Sequence, residues 1–449
     1  MSTEFKINQI KVIALTQSKV FCMAPWTHIH NMPNGDLHPC CLSAIEEPMG
    51  NIYEHTIEEV WNNEKYKEIR TSMLNEKPIS KCDRCYKEEE WGNTNSTRKF
   101  YNTYYKDKFN DLVVKQTNND GSMKEMKVFR WDFRFSNLCN LTCIGCSKKY
   151  SSSWADLDKK MYPEYDIVYT EDKFRTSNRD KELFLKTIKS QSQYANDIYL
   201  AGGEPLIQQE HYDILKIMDE AGKLGPDVHY CYSTSLASIK FKQINVVTDY
   251  WKRMARLKIL VSLDEVDQDR LYYIRYPSNI NTIVENIRTL NKEFTETLQR
   301  WTITPTWNIL NIHRMKDIVN FFRINDLLHT SFYESIEWEV DLHNILLMYP
   351  HHLSILSATP DWKSYINKSL TEFEEWYLNE MIPLKNLNVQ IEAIKILQDN
   401  IQRFKNSMIE ETEVKPAHVL DRVDWTKRLD QARGTNFLET FPELAWYLN

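Results

Sequence analysis

A compact run of three cysteines, Cys139-Asn140-Leu141-Thr142-Cys143-Ile144-Gly145-Cys146, decides how the rest of the sequence is interpreted. It follows an apolar, strand-like run at 128–135. The C-x3-C-x2-C spacing lets three thiolates converge from one short loop. A structural zinc site or a closed iron–sulfur cluster takes four protein ligands, so a set of three leaves one metal position open for a substrate or cofactor.

The loop begins a segment in which strand-like runs alternate with helical patterns. The runs are 128–135, 197–201, 228–233, 257–263, 301–306 and 336–340. Six strands with helical crossovers predict a parallel α/β sheet or an open barrel. Cys231 lies inside the third run and is predicted to be a core residue, because free cysteine is commonly buried.

Glycine-rich or polar elements follow these runs at the carboxyl ends of the strands, the face where barrel enzymes assemble their active sites. They are Ala201-Gly202-Gly203-Glu204-Pro205, Ser233-Thr234-Ser235, and Ser262-Leu263-Asp264 with Tyr273-Ile274-Arg275. Glycines permit close backbone approach, and arginine offers a two-pronged set of donors to a carboxylate.

In the cysteine spacing and in these strand-end elements, residues 128–345 resemble the radical S-adenosylmethionine (SAM) superfamily. The resemblance implies a partial (β/α)6 TIM-like barrel and a 4Fe–4S cluster on Cys139, Cys143 and Cys146, with SAM at the open iron. It also implies that SAM is bound by Gly202, Gly203, Glu204, Ser233, Ser262 and Arg275. Many members have an aromatic residue before the third cysteine; Gly145 stands there, so an adenine contact must come from its backbone or from elsewhere.

A second cysteine set lies in the first 100 residues: Cys22, Cys40, Cys41, Cys82 and Cys85. Eight of the nine cysteines fall in the first third of the chain, which favours a metal site over a disulfide scaffold. Chemistry alone allows zinc or an iron–sulfur cluster. Four histidines are nearby, and we expect surface or packing roles for them because a complete thiolate set needs no imidazole. They are His28, His30, His38 and His55.

The order Cys, Pro-Trp, Gly-x4-Cys-Cys, Gly-Asn-Ile and C-x2-C resembles the SPASM and Twitch domains, which bind auxiliary 4Fe–4S clusters. One cluster's worth of cysteines is present, so the short Twitch form fits better. The resemblance implies Cys22, Cys40, Cys82 and Cys85 as ligands. Cys40 is preferred to its neighbour Cys41 because it completes the Gly-x4-Cys spacing. Such domains commonly follow the barrel, whereas this one precedes it.

The predicted organisation is an auxiliary-cluster domain at 1–100, a linker at 101–127, the barrel at 128–345 and a helical extension at 346–449. Thr56 and Glu59 form a capping box that begins a helix reaching about residue 73. The interval 150–180 is longer than a crossover needs and is treated as an insertion. Helical patterns at 370–378 and 389–397 belong to the extension.

Composition excludes several classes of protein. The chain has 449 residues, a formal net charge of -7 and 42% hydrophobic residues. It contains no run of 18 apolar residues, and its amino terminus lacks a signal-peptide pattern, so we expect a cytoplasmic protein with no membrane partner. The mildly acidic charge gives no footprint for nucleic-acid binding.

The resemblance implies reductive cleavage of SAM, which generates a 5′-deoxyadenosyl radical, with a flavodoxin or ferredoxin as electron donor. Relatives with auxiliary clusters often modify peptides, so a peptide or protein is the expected substrate. Two alternatives are a small-molecule dehydrogenase and a zinc-stabilised, non-catalytic scaffold or binding protein. Four residues near the ends of the last two strands are candidate substrate contacts or else core and turn residues: Trp307, Asn308, Asp341 and Asn344.

Overall fold

The fold is described from a computed structural model, which covers residues 17–44, 46–90, 96–164, 181–294, 298–329, 332–333, 345–347, 350–409 and 416–448. Internal contacts divide the chain into two compact units. The first comprises Met1–Ser136 and Arg175–Tyr230, and the second comprises Asn137–Phe174 and Cys231–Asn449. The predicted cluster domain and the first two predicted barrel strands therefore belong to the first unit.

Short strands and helices of widely different length make up the regular structure. The strands are β1 His28–Asn31, β2 Asp36–His38, β3 Gly50–Asn51, β4 Arg130–Phe133, β5 Thr142–Cys143, β6 Asp197–Leu200, β7 His229–Thr234, β8 Lys240–Phe241, β9 Ile244–Asn245, β10 Leu257–Val261, β11 Arg275–Tyr276, β12 Gln299–Ile303, β13 Thr306–Trp307 and β14 Ile345–Leu346. The α-helices are α1 Ala24–Thr27, α2 Ile57–Trp61, α3 Glu64–Leu74, α4 Asp83–Glu90, α5 Thr97–Tyr104, α6 Ser153–Met161, α7 Lys181–Gln191, α8 Gln209–Glu220, α9 Val246–Asp249, α10 Gln268–Ile274, α11 Ile280–Glu293, α12 Met315–Ile324, α13 Pro360–Glu380, α14 Leu387–Ser407, α15 Pro416–Arg433 and α16 Phe437–Thr440. Short 3-10 turns, among them Ser80–Cys82, Pro205–Ile207 and Pro442–Leu448, and a π-helix at Asn110–Lys115 accompany them.

Five of the six predicted strand runs are confirmed, as β4, β6, β7, β10 and β12. The fifth run breaks after Ile303, and its last residue begins the short strand β13. The sixth run, 336–340, lies outside the described residues, as do Asp341 and Asn344. Of the predicted insertion, residues 150–164 are described and contain α6, whereas 165–180 are not described.

The first unit contains a sheet in the order β6, β4, β1, β2 and β3. Strand β1 pairs in parallel with β4, so that His30 lies opposite Asp132, and β4 pairs in parallel with β6. Strands β2 and β3 continue from β1 as an antiparallel meander. The sequence did not predict β1, which joins the amino-terminal cysteine segment to the first predicted barrel strand by backbone hydrogen bonds.

The predicted helix after Thr56 is two helices, α2 and α3. The capping box at its start is confirmed, with the Glu59 amide donating to Thr56 Oγ1 at 3.2 Å. The helix is interrupted at Asn62 and Asn63, because the side chains of these two residues bond to backbone groups outside α2. Asn62 Nδ2 donates to the Met123 carbonyl at 2.8 Å, and Asn63 Oδ1 accepts from the Tyr66 amide to start α3. Short amide side chains often compete with the helix in this way.

Residues 101–127, for which the sequence predicts a linker, are largely folded. Helix α5 continues into this segment, and the π-helix Asn110–Lys115 follows it. Tyr101, Tyr105, Leu112 and Val113 are all buried. The polar Asn118-Asn119-Asp120-Gly121-Ser122 stretch is a tight turn, closed by the Asn118 amide donating to the Ser122 carbonyl at 2.8 Å. The polar composition therefore marks a turn on a packed segment.

The second unit contains the parallel pair β10 and β12, in which Ile259 lies opposite Trp301. Strand β10 alternates buried and half-buried residues, and α11 buries Ile283, Ile287 and Leu290. This periodicity of two in the strand and three to four in the helix is typical of a sheet covered by helices. The short pair β13 and β14 is also parallel, whereas β5 and β11 are antiparallel.

The carboxyl-terminal extension is helical, as predicted, with α13, α14 and α15 of 21, 21 and 18 residues. Helices α13 and α14 pack against each other, and α15 packs against α6 and the terminal turn Pro442–Leu448. Glu443 in that turn forms a bidentate pair with Arg270 at 2.6 and 3.0 Å. Of the helices that the structure describes, none is long and apolar enough to cross a membrane.

Candidate metal centres

The three-cysteine loop is held by hydrogen bonds from the start of α6. Ser151 Oγ donates to the Leu141 carbonyl at 2.6 Å and Ser153 Oγ to the Cys139 carbonyl at 2.7 Å. Trp154 Nε1 donates to the Cys143 carbonyl at 3.0 Å. These donors satisfy three of the loop's carbonyl groups, and all three thiols are half-buried.

Arg275 lies against the middle cysteine of this loop. The antiparallel pairing of β5 and β11 sets Arg275 opposite Cys143, and its Nη1 is 3.6 Å from Cys143 Sγ. Its Nε is 2.6 Å from Asp264 Oδ2, and Asp264 Oδ1 accepts from the Thr306 amide at 2.7 Å. Asp264 therefore fixes the arginine that faces the thiol, a partnership that no signal in the sequence indicates.

Burial and the neighbouring arginine act in opposite directions on these thiols. Burial raises the pKa of Cys143, and the Arg275 charge lowers it. Burial, together with the nearby Cys143, raises the pKa of Cys146 to about 12. A desolvated thiol becomes a good ligand when a cation replaces its proton, so both positions suit metal binding better than an isolated redox role.

Ser233 and Ser262, both predicted SAM contacts, lie together in the second unit. Their Oγ atoms are 3.5 Å apart, and the Ser262 amide donates to the Thr234 carbonyl at 2.8 Å. Cys231, on the same strand as Ser233, is half-buried rather than fully buried. The prediction of a core cysteine is wrong, because residues of β7 alternate and Tyr230 and Tyr232 occupy the buried face.

The glycine-glycine-glutamate element lies in the first unit. Gly202 has φ +81°, and a β-carbon there would lie 2.6 Å from Arg134 Cβ, so this position requires glycine. Glu204 is 5% exposed, and its Oε1 accepts from the Leu206 amide at 3.3 Å. Gln208 Nε2 donates to the Gly202 carbonyl at 2.9 Å. The predicted SAM contacts are thus divided between the two units.

Two further features of the second unit qualify the sequence predictions. Leu347 lies beside Gly145, the position where the aromatic residue of the resembling family is missing. Trp307 and Asn308, predicted to be substrate contacts or core and turn residues, are 0% and 2% exposed. Asn308 Oδ1 accepts from the Leu310 amide at 2.9 Å, which makes it a turn residue.

The amino-terminal cysteines form a second site. A cavity in the first unit is lined by Cys22, Cys40, Cys82 and Cys85, together with Arg98 and Tyr101. Cys82 ends a 3-10 turn and Cys85 lies in the first turn of α4, which presents both thiols to the same side. Among the described residues, no three His, Cys, Asp or Glu side chains converge on one point as a single metal ion would require.

The side chains that surround Cys40 differ from those that surround Cys41. The pKa of the Cys40 thiol is raised by burial, then by its neighbour Cys41, and then by Cys22, Cys82 and Cys85. The pKa of Cys41 is raised by burial and by Asp132, and it is lowered by arginines such as Arg134. The cavity lining groups Cys40 with Cys22, Cys82 and Cys85 and does not include Cys41.

Arg98 ties the segment before Cys22 to the C-x2-C helix. Its Nη1 donates to the Phe21 carbonyl at 2.9 Å, and its Nε donates to Glu89 Oε1 at 2.9 Å. Burial raises the pKa of Cys85 to about 11, whereas a hydrogen bond from the Arg98 backbone amide acts to lower it. Arg98 was not identified from the sequence, since nothing in its spacing connects it to the cysteines.

The histidines have the surface or packing roles that we expected: His28, His30 and His38 are buried, and His55 is exposed. His30 Nδ1 is 2.9 Å from Asp132 Oδ2, and both side chains are buried. His28 Nδ1 is 3.1 Å from the hydroxyl of Tyr101, which lines the cysteine cavity. A buried histidine–aspartate pair across β1 and β4 fixes the register of the two strands.

Each thiol set lies within a segment that matches a known family. Residues 133–322 match the family model of the Radical SAM superfamily. Residues 22–86 match the SPASM model, described as an iron–sulfur cluster-binding domain. The segment that matches the SPASM model thus precedes the segment that matches the Radical SAM model. These domains imply a 4Fe–4S cluster, SAM and auxiliary iron–sulfur binding as cofactors.

Solved structures give distant similarities. One is the native anSMEcpe with bound AdoMet, at 14% identity and a TM-score of 0.36, covering 56% of this chain and 61% of that one. Another is Streptococcus suis SuiB bound to precursor peptide SuiA, at 12% identity and a TM-score of 0.35, covering 69% of this chain and 64% of that one. The chain therefore spans less than two thirds of either structure. No curated protein matches the chain.

Proposed function

We propose that this chain is a radical SAM enzyme that modifies a peptide or protein substrate with the help of one auxiliary 4Fe–4S cluster. The observation that carries the proposal is the presence of two distinct thiol sets, each within a matched domain. One is a loop of three cysteines with Arg275 against Cys143. The other is a cavity lined by four cysteines. An open set and a closed set suit a reactive and an auxiliary cluster, respectively.

The residues of the loop fit a cluster with one open position. Cys139, Cys143 and Cys146 would hold it, and the Arg275 guanidinium would donate to the Cys143 sulfur. A reduced cluster held by these residues would supply the electron for cleavage of SAM to methionine and a 5′-deoxyadenosyl radical, the species that would remove hydrogen from a substrate carbon. Trp154, through the Cys143 carbonyl, and Arg275, through the Cys143 sulfur, would hold the loop in position.

The proposed SAM contacts are those that the resemblance implies: Gly202, Gly203, Glu204, Ser233, Ser262 and Arg275. Gly202 lets the backbone approach a ligand because its left-handed φ excludes a side chain. Two of the three Arg275 nitrogens already face Asp264 and Cys143, so a SAM carboxylate would be met by Nη2. Ser233 and Ser262 together offer two hydroxyls to polar groups of the same ligand.

The residues of the second site fit one closed cluster. Cys22, Cys40, Cys82 and Cys85 would hold it, as in a Twitch-like form with a single cluster. Its proposed part is to accept or relay an electron during substrate oxidation, and the proposed electron donor to the enzyme is a flavodoxin or ferredoxin. The proposed location is the cytoplasm, where reducing conditions keep the nine free thiols available.

The test combines metal analysis with SAM cleavage by dithionite-reduced, anaerobically reconstituted protein. Cys143→Ala should reduce 5′-deoxyadenosine formation to background. Cys82→Ala combined with Cys85→Ala should lower the iron content by about half yet retain cleavage, because about four of eight irons belong to each cluster. Cleavage by Cys143→Ala, or zinc in place of iron in the wild type, would contradict the proposal and favour the scaffold alternative.

A further inference from the structure

The carboxyl-terminal extension brings a buried arginine to the three-cysteine loop. Arg433 is the last residue of α15 and is 9% exposed. Its Nη1 donates to the Tyr273 carbonyl at 2.8 Å, and its Nη2 donates to Thr142 Oγ1 at 3.0 Å and to the Thr142 carbonyl. Arg433 thus joins the strand that carries Cys143 to the end of α10.

Aromatic rings enclose the same guanidinium. Its central carbon is 5.0 Å from the ring centroid of Tyr276 and 5.7 Å from that of Trp154. Trp154 in turn donates to the Cys143 carbonyl at 3.0 Å. Cation–π contacts of this kind stabilise a desolvated cation and fix its position. The guanidinium is therefore held in place beside the loop and shielded from solvent.

The charge of Arg433 is less completely balanced than that of Arg275. Arg275 pairs directly with the Asp264 carboxylate at 2.6 Å. The hydrogen-bond acceptors of Arg433 are neutral oxygens. Asp430 acts on Arg433 through its charge, but both of its oxygens accept from the segment that follows α15. The loop therefore lies next to a positive charge that has no ion-pair partner in the described part of the chain.

Arg433 keeps its proton at neutral pH in spite of this environment. Burial lowers its pKa to about 10, and nearby groups, including Tyr273 and Cys143, act to raise it. Its Nη2 also bonds to both oxygens of Thr142, the residue immediately before Cys143. Within the second unit, the carboxyl-terminal extension thus places a positively charged side chain next to the three-cysteine loop.

We propose that Arg433 is a positioning residue of the loop whose positive charge makes the cluster on Cys139, Cys143 and Cys146 easier to reduce. The inference rests on the proposed function, which places the cluster there. Reduction potentials of such clusters depend on net charge, hydrogen bonds and solvent exposure around the sulfurs. A nearby cation favours the reduced cluster because that state carries one more negative charge.

The test compares Arg433→Lys with Arg433→Gln in the full chain with both clusters reconstituted. The readout is a redox titration that follows the electron paramagnetic resonance signal altered by adding SAM. At a fixed solution potential, Arg433→Gln should lower the ratio of reduced to oxidised cluster about tenfold. For a one-electron couple this corresponds to a fall of about 59 mV in the midpoint potential. Arg433→Lys retains the charge and should stay within about threefold of wild type.

The matched control is Arg428→Gln on the same helix. Arg428 bonds to the Met161 carbonyl and to Glu164, at the far end of α6 from the loop, so its loss should leave the ratio unchanged. Equal ratios for the lysine and glutamine variants would overturn the inference, since a merely structural role does not distinguish their charges. If the glutamine variant takes up no iron, a wild-type ratio in the lysine variant supports the inference and a tenfold fall overturns it.

Failure of the proposed function has a different signature. A wild-type protein without a SAM-responsive signal, or with the same signal after Cys143→Ala, would show that the loop holds no such cluster. That result would overturn both proposals together. A normal wild-type signal with equal Arg433→Lys and Arg433→Gln ratios would overturn only the role of Arg433.

Discussion

Leu347 packs against Gly145 so closely that a β-carbon at position 145 would lie 3.2 Å from Leu347 Cδ1. Leu347 is 8% exposed, and its amide donates to the Trp307 carbonyl at 2.9 Å, which fixes its backbone. Residue 145 precedes the third cysteine of the loop. A small residue on the loop and a large one after β14 therefore form a complementary pair beside the proposed cluster.

This pair predicts the effect of a large residue at position 145. Gly145→Phe should reduce iron loading of the loop, because the ring and Leu347 compete for the same space. Combining it with Leu347→Ala should restore much of the loading, and Gly145→Ala should have little effect because the Leu347 side-chain end can shift slightly. The iron loading is measured from the iron content and the visible absorbance of the reconstituted variants. Equal loading of the single and double phenylalanine variants would show that the two residues do not compete.

The grouping of Cys40 with the four-thiol cavity predicts unequal effects of two neighbouring substitutions. Cys40→Ala should remove about four irons, one cluster's worth, whereas Cys41→Ala should leave the iron content unchanged. SAM cleavage should persist in both, since neither residue belongs to the three-cysteine loop. The measurement is iron and sulfide per chain after reconstitution. Loss of iron in Cys41→Ala alone would reverse the assignment of the fourth ligand.

The backbone at Gly202 predicts a large cost for the smallest side chain. Gly202→Ala adds a β-carbon 2.6 Å from Arg134 Cβ in a left-handed conformation, so it should destabilise the protein by about 3 kcal/mol or more. Gly222→Ala is the matched control, because Gly222 has φ +67° but no atom near the added carbon, and it should cost about 1 kcal/mol. Urea unfolding measures both, and similar values would contradict the close approach to Arg134.

Buried His211 predicts a loss of stability in mild acid. Burial lowers its pKa from 6.5 to about 3, so the unfolded chain binds a proton below pH 6.5 while the folded chain does not. Between about pH 7.5 and about pH 5.5 this residue should cost about 1.4 kcal/mol of unfolding free energy. His211→Gln should remove that part of the pH dependence.

Urea denaturation of the wild type and of His211→Gln at the two pH values provides the measurement. The quantity compared is the change in unfolding free energy between the two pH values. The absolute free energies are not compared, because glutamine also changes the packing at both pH values. If the difference in unfolding free energy between the two proteins were the same at both pH values, His211 would bind its proton equally well in the folded and unfolded states, which would contradict the lowered pKa.

The elements with strong local patterns were predictable from the sequence. The strands at 197–200 and 257–261, the capping box at Thr56 and the three-cysteine loop all depend on residues close together in the chain. The ligand preference for Cys40 also came from spacing, and the cavity groups it with the same cysteines.

What the sequence did not reveal depends on contacts between distant segments. Strand β1 has only four residues and becomes a strand through pairing with β4. Arg433 lies 291 residues from Thr142, its partner at the loop, and Asn62 interrupts a helix by bonding to Met123. No local pattern distinguishes these side chains from ordinary polar residues, because their partners are set by the tertiary fold.

The parallel pairing of β1 with β4 has a consequence for synthesis on the ribosome. His28 must wait for Arg130, its partner in the ladder, which emerges about 100 residues later, or about 5–20 s at ordinary rates of translation. During that interval the β1 edge that will meet β4 is unpaired while the first cysteines are already exposed to the cell. Closing so long a loop costs entropy before the contacts between β1 and β4 can stabilise it, so we expect this pairing to form late in folding.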